Sequence, residues 1–283
     1  MRRLTYSNSR GEQISFYLSP FLITSLTGIS EVNANVQGQQ APYQDGDTYI
    51  DTILQPRFPI LEGAITDTNL IMIKQRRKDI LKVCNPKLGL GKLTLELDGD
   101  TKEILGALDG VPVFPERSIR PFQEFMITWK CPNPYWQDPQ ELSRALRAYE
   151  GKLNIPTTFP IEFGISGDTT ILNNEGDVET PITIDIQGPV TNPRVINKTT
   201  GKYIRVNLSL SANDVLHIDT GDQSKRVEIY RDGLAIEKAI GYLDHNSDFW
   251  KLEVGYNEIQ YIADAGDGNA IVAIAWHDQY TGI

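Results

Sequence analysis

The tripeptide Asp219-Thr220-Gly221, inside HIDTGDQS, is the stretch of this chain that most resembles catalytic machinery. In aspartic proteolysis two such aspartates share one proton, because neighbouring like charges cannot both ionise. The chain has no second Asp-Thr-Gly, and Asp222 adds a negative charge where Ser, Thr or Ala would suit the pair. The tripeptide therefore reads as a strand end followed by a turn. ADAGDGNA sets Asp264, Asp267, Gly268 and Asn269 like half a calcium loop. Such a loop needs a bidentate Glu at its twelfth position, and counting from Asp264 that residue is Ala275, so a hairpin turn is the better reading. LGLGKLT lacks the upstream Gly of a phosphate loop, and Leu93 stands where Ser or Thr would hold Mg²⁺.

The other chemistry-bearing residues are scattered. His217 and His277 fall in strand-like runs and His245 in a polar loop, with no Gly-x-Ser-x-Gly beside them. Cys84 and Cys131 stand far apart, outside any metal-ligand spacing, and read as buried free thiols. Asn197-Lys198-Thr199 is a glycosylation sequon only in a secretory context. Carboxylates are plentiful, but nothing singles out a glycosidase pair. The expectation is no catalytic residue, no cofactor and no metal, hence no enzyme.

The formal net charge of −10 argues against a protein that grips nucleic acid, since grip comes from neutralising phosphates. It is compatible with a protein that DNA slides past. MRRLTYSNSRGEQISF has no apolar core of a signal peptide. The longest apolar runs, 70–73 and 270–276, are far short of the roughly 20 residues that span a bilayer. These features predict a soluble chain made in the cytoplasm, with no membrane partner. At 283 residues there is room for two cores.

One segment carries a helical pattern. Leu70, Ile73, Ile80, Leu81 and Cys84 recur at helical spacing, Thr66 and Asp67 offer caps, and Asn85-Pro86 with Gly89 supplies a stop, placing a helix near 68–84. Its cluster Lys74, Arg76, Arg77, Lys78 reads as a solvated face or a subunit contact. KLTLELDGDTKEIL reads as a hairpin turning at Asp-Gly, with exposed-edge potential, and FQEFMITWKC as a strand halted by Pro132 and Pro134. A second helical stretch is expected in PQELSRALRAYEGKL. Beyond Pro156 short strand-like runs recur every 8 to 12 residues: FPIEFGI, TTILNN, PITIDIQ, RVIN, KYIRVNL, VLHID, RVEIYR, WKLEVG, NEIQYIA and AIVAIAWH. Gly188-Pro189, Asn192-Pro193 and Gly201 punctuate them as turns. The domains expected are 1–137, a linker over 138–155, and 156–283.

NNEGDVETPITIDIQGPVTNPRVINKTTGKYI, then LHIDT and the closing IAWHDQYTGI, resemble the distal tail (Dit) proteins of long-tailed siphophages and related prophages. KCPNPYW, QDGDTYIDTILQPRFPILEG and RRKDILKVCNPKLGLGKL extend the likeness in collinear order over nearly the whole chain. The resemblance implies a mainly β fold of two domains. The first would be a β-sandwich or split barrel with one α-helix and a protruding β-hairpin belt, forming a hexameric ring; the second, a galectin-like β-sandwich (jelly roll). It also implies a virion tail protein, a hub assembled in the host bacterial cytoplasm, with a central channel for DNA passage. Its partners would be the tail tube protein, a tail-tip protein, and a receptor-binding protein or its adaptor. The alternative is a carbohydrate-binding module engaging host cell-wall polysaccharide. Among Tyr203, Tyr230, Tyr242, Trp250, Tyr256 and Tyr261, the sugar-stacking candidates are Tyr203, Tyr230 and Trp250, although sandwich aromatics commonly serve the core.

Overall fold

Alternation of apolar and polar side chains builds much of this chain, and many of its strands bury every second residue. The computed structural model describes residues 2–67, 69–115, 122–147, 169–231, 235–266 and 270–283. Mainly β with one α-helix, it divides into two units: one runs through Pro139 and takes in Tyr280–Ile283, the other is Gln140–Gln279. No helix among the described residues is long and apolar enough to cross a membrane. The expected strand at 159–165, the linker residues 148–155 and Pro156 lie outside the described residues.

The first unit contains β1 (Arg2–Ser7), β2 (Gln13–Phe16), β3 (Phe21–Thr27), β4 (Ala34–Gln39), β5 (Thr48–Leu54), β6 (Ile60–Thr66), α1 (Leu70–Val83), β7 (Leu90–Leu97), β8 (Asp100–Leu108), β9 (Phe122–Lys130) and β10 (Trp136–Gln137). The main sheet runs β2-β1-β7-β8-β9-β6-β3, antiparallel throughout. A bridge from Tyr17 to Leu22 joins its two ends, so the sheet curls around its own core. Inward residues Leu4, Phe16, Leu61, Leu93, Leu95, Phe125, Ile127 and Trp129 fill that core. Each such burial contributes about 1.5–3 kcal/mol relative to exposure.

The helix is capped by Asn69, whose side chain accepts from the Ile71 amide at 2.8 Å, not by Thr66 or Asp67. Both expected caps sit upstream of the first helical turn, and only Asn69 reaches its free N–H groups. Ile73, Ile80, Val83 and Cys84 face the core, whereas Leu70 is exposed. The hairpin β7–β8 turns on Asp98 and Gly99, both with positive φ. It is not an exposed edge: β7 pairs with β1 on one side and β8 on the other.

The second unit is a two-sheet sandwich over one shared core. Its strands are β11 (Leu142–Arg147), β12 (Thr169–Asn174), β13 (Ile182–Gln187), β14 (Val190–Thr191), β15 (Arg194–Asn197), β16 (Lys202–Arg205), β17 (Ser209–Leu210), β18 (Val215–Asp219), β19 (Arg226–Arg231), β20 (Ala235–Lys238), β21 (Gly255–Ile262) and β22 (Ile271–Trp276). One sheet runs β11-β22-β13-β18-β19-β20 and the other β12-β21-β15-β16. Ile182, Ile184, Ile186, Leu216, Ile218, Val227, Ile229 and Ile274 of the first meet Leu172, Val195, Ile204, Ile259 and Tyr261 of the second.

Two elements differ from expectation. The helical reading of 139–153 fails over Leu142–Arg147, which form edge strand β11 against β22. Leu142 and Leu146 are four apart, so they share a face in a helix and in a strand alike, and the free edge of β22 decides for the strand. This strand also belongs to the second unit, so part of the 138–155 stretch is not linker. WKLEVG is not a strand either. Trp250 and Leu252 plug the core, and Leu252 makes a single bridge to Thr180.

Candidate functional site

Most apolar residues of the first unit have a core to enter; those of β4 and β5 do not. Among the described residues the two strands pair only with each other, from Ala34↔Leu54 to Gln39↔Thr48. The register slips by one residue between Gln37 and Gly38, which leaves Ile50 bulged; Val36 and Ile53 sit on opposite faces of the ladder, and Val36, Tyr49, Ile50 and Ile53 are all exposed. Tyr43 at the tip is fully exposed, at 107 %, with φ 66°. An isolated two-stranded hairpin is marginal in water, and bare apolar side chains on both faces mark an interaction surface.

The hairpin is nevertheless rooted firmly. Arg57, 1 % exposed, gives its guanidinium hydrogens to main-chain carbonyls: Nε to Pro134 at 2.9 Å, Nη1 to Glu31 at 3.1 Å and also to Ile29, and Nη2 to Thr281. Ile29 and Glu31 precede β4 and Arg57 follows β5, so one side chain clamps both ends of the hairpin. Gly28 lies at the same root with φ 71°, against the Phe58 carbonyl, where a Cβ has no room. Its amide donates to Glu31 Oε1 at 2.8 Å, the main reason the Glu31 carboxyl is held below its ordinary pKa.

The hairpin and the helix carry opposite charge. Residues 34–54 include Asp45, Asp47 and Asp51 with no Lys or Arg, whereas α1 carries Lys74, Arg76, Arg77, Lys78 and Lys82 against Asp79 alone. Within the unit, Arg76 lies near Asp79, Lys82 pairs with Glu12, and Arg77 lies over the Phe114 ring. Lys74 and Lys78 are exposed and make no ion pair with a described residue.

The residues singled out for chemistry have structural employment. Asp219 accepts from the Gly221 amide at 2.9 Å, and Thr220 bridges the main chain of Ile182. Asp264 accepts from Asn192 and Arg205; Asp267, Gly268 and Asn269 lie outside the described residues. Lys92 pairs with Glu103, and Leu93 is core. His217 Nδ1 lies 2.7 Å from Asp185 and its ring meets Tyr230 edge-on. Asn197 of the sequon is wholly buried against Asn257. Burial pushes both thiols up to about 12, too high for a nucleophile at neutral pH. Among the described residues no group of three or more His, Cys, Asp or Glu can hold a metal.

The turn residues fall between strands. A cis Gly188-Pro189 bond links β13 to β14, Asn192 with φ 51° and Pro193 lead into β15, and Gly201 with φ 75° turns β15 into β16. Pro132 and Pro134 follow β9. Of the three stacking candidates, Trp250 is 2 % exposed and lies in the core, so it presents no face to a sugar. Tyr203 is covered by the Arg194 guanidinium at 3.8 Å and bonded to Asp244, and Tyr230 leans on His217. A different aromatic is free: Tyr256, 75 % exposed, borders an open cleft of about 450 Å³. Glu141, Arg144 and Asn173 line the same cleft. Arg144 Nε is buried there without a hydrogen-bond partner among the described residues, and burial raises the Glu141 pKa. The β12–β21 register, Asn173↔Tyr256, places the ring there, and sequence spacing carries no trace of it.

Residues 175–280 match the C-terminal domain of the siphovirus-type tail components. No curated protein matches the chain. Among solved structures, the Dit protein of phage SPP1, described as a paradigm of hub adsorption apparatus in phages infecting Gram-positive bacteria, is similar over 98 % of both chains, with TM-score 0.69 and 13 % identity. A chain of the phage P2 baseplate in its activated conformation with calcium is similar over the full length of both, with TM-score 0.59 and 10 % identity. The likeness to the distal tail proteins thus holds in the matched domain and in the fold.

Proposed function

We propose that this chain, a phage tail component through the domain at 175–280, is the distal tail hub of a siphophage or prophage: a ring of six copies joining tail tube to tail tip. The observation that carries the reading is the β4–β5 hairpin, whose exposed Val36, Tyr49, Ile50 and Ile53 need a cover that the described residues do not supply. A neighbouring copy supplies it in a head-to-tail contact, and repetition of that contact closes a ring when the rotation fits. The first unit forms the ring around a channel through which DNA passes. The second carries the docking surface for a receptor-binding protein or its adaptor. The role is structural, without catalysis, and assembly takes place in the host cytoplasm. Negative-stain class averages of the full-length protein, alone at high concentration or with tube and tip partners, should show six-fold rings with a central opening. Monomers or two-fold dimers under all those conditions overturn the reading.

A second reading, saccharide binding by the second unit, has the Tyr256 cleft in its favour. An exposed ring beside a carboxylate, a guanidinium and a carboxamide suits a neutral sugar, which offers an apolar face and paired hydroxyls. On a glycan array the protein should bind at least one oligosaccharide, and Tyr256→Ala should remove the signal. An array blank for the unaltered protein sinks this reading and leaves the hub intact.

A further inference from the structure

We infer that the β4–β5 hairpin of one copy docks on helix α1 of the next, so that the helix is the receiving surface of the ring contact. This rests on the ring reading above and adds to it which surface of the neighbour meets the hairpin.

Three observations converge. The first is apolar: the hairpin presents Val36, Tyr49, Ile50 and Ile53 to solvent, and the first turn of α1 presents Leu70, Ile71 and Met72. Each patch is an uncovered apolar surface, and each suits the other as cover. The second is charge. The hairpin holds three carboxylates and no base, and α1 holds five bases and one acid. The third is which of those charges are already used. Lys82 and Arg76 are taken up within the unit, by Glu12 and Asp79, and Arg77 by Phe114. Lys74 and Lys78, one helical turn apart and on the side of Leu70 and Ile71, pair with no described residue. Among the described residues Asp45 and Asp47 make no ion pair either, and Asp51 accepts from the following amide at 2.7 Å. An apolar patch followed by unspent positive charge thus has its complement in an apolar patch beside unspent negative charge. Complementary potentials of this kind set register and partner choice. They also explain a basic helix on a chain of net charge −10 without invoking nucleic acid.

The test exploits the ring. A Lys74→Glu/Lys78→Glu protein has an acidic hairpin and a less basic, acid-bearing helix; an Asp47→Lys/Asp51→Lys protein has a basic hairpin and a basic helix. Each alone sets like charge against like, and its ring should dissociate at a protein concentration at least about tenfold higher than the parent's. Mixed one to one, the two should assemble together, alternating around an even-numbered ring, because each hairpin then meets an oppositely charged helix on its neighbour. Mass photometry and negative stain read both steps. All four positions are exposed, so melting temperatures should match the parent's and exclude misfolding. If the parent forms rings and either variant does so equally well, or if the mixture fails to recover rings, the inference is wrong while the ring reading stands. If the parent forms no ring, both fall.

Discussion

Two hairpins of the first unit, each an antiparallel pair of strands adjacent in sequence, have opposite fates. In β7–β8 the inward row Leu93, Leu95 and Ile104 is buried, because β1 pairs with the far side of β7. In β4–β5 Val36, Tyr49, Ile50 and Ile53 stay exposed on a ladder that no third strand among the described residues joins. The first hairpin stabilises the chain; the second is held out from it by Arg57 and Gly28 at its root. The difference shows that apolar alternation specifies pairing but not what covers the result. One cover comes from the same chain, and the other, in the reading above, from the next copy.

Breaking the buried hairpin should have the largest effect on stability. Leu93→Ala removes a fully buried side chain and should cost about 2–5 kcal/mol by denaturant titration. A loss below about 1 kcal/mol would mean that β7 is no more a core strand than β5.

Arg57→Met should come next, at about 2–4 kcal/mol, because its carbonyl partners lose charged donors inside the unit. Amide hydrogen exchange should rise at Ile29–Glu31 and at Gln55 while β7 and β8 stay protected. Uniform deprotection instead would assign Arg57 to the core at large rather than to the hairpin's root.

Ile50→Ser/Ile53→Ser sharpens the contrast from the other side. Both residues are exposed, so monomer stability should move by no more than about 0.5 kcal/mol, while light scattering should show the oligomer lost. A large loss of monomer stability would show that the hairpin packs on its own unit in solution.

The smallest effect is electrostatic and sits at the root. The Gly28 amide holds the Glu31 carboxyl below its ordinary value of 4.5. A depressed carboxyl favours the folded root above about that pH, and the contribution fades as pH falls through the lowered value. The protection factor of the Gly28 amide, its exchange rate taken relative to the unstructured chain at the same pH, should therefore fall on acidification below pH 4.5, and Glu31→Gln should flatten that dependence. An unchanged profile in the variant would remove Glu31 from the root.

Local chemistry made much of this molecule legible in advance. Period-two alternation marks KLTLEL and ITIDIQ as strands, the short apolar run IVAIAW marks another, Asp98-Gly99 marks a hairpin turn, and Asn192 and Gly201 occupy the positive-φ positions such residues tolerate. The helix shows itself through Ile73 and Ile80, seven residues apart and both buried. These signals lie within a few residues of one another, so they need no knowledge of distant chain.

What the tertiary structure alone decided depends on partners far away in sequence. Leu142 and Leu146 fit helix and strand equally until the edge of β22, some 130 residues on, supplied the missing hydrogen bonds. Trp250 is amphipathic and reads as a stacking surface until the two sheets close over it, and Tyr256 becomes the free ring because its face of β21 has no second layer. Arg57 is buried because Ile29, Glu31, Pro134 and Thr281 bring their carbonyls to it from three separate stretches of chain. The exposure of β4–β5 follows from the absence, among the described residues, of a third strand beside it, and the sequence of a strand is the same with or without one. Burial is a property of what surrounds a residue, and only folding determines that.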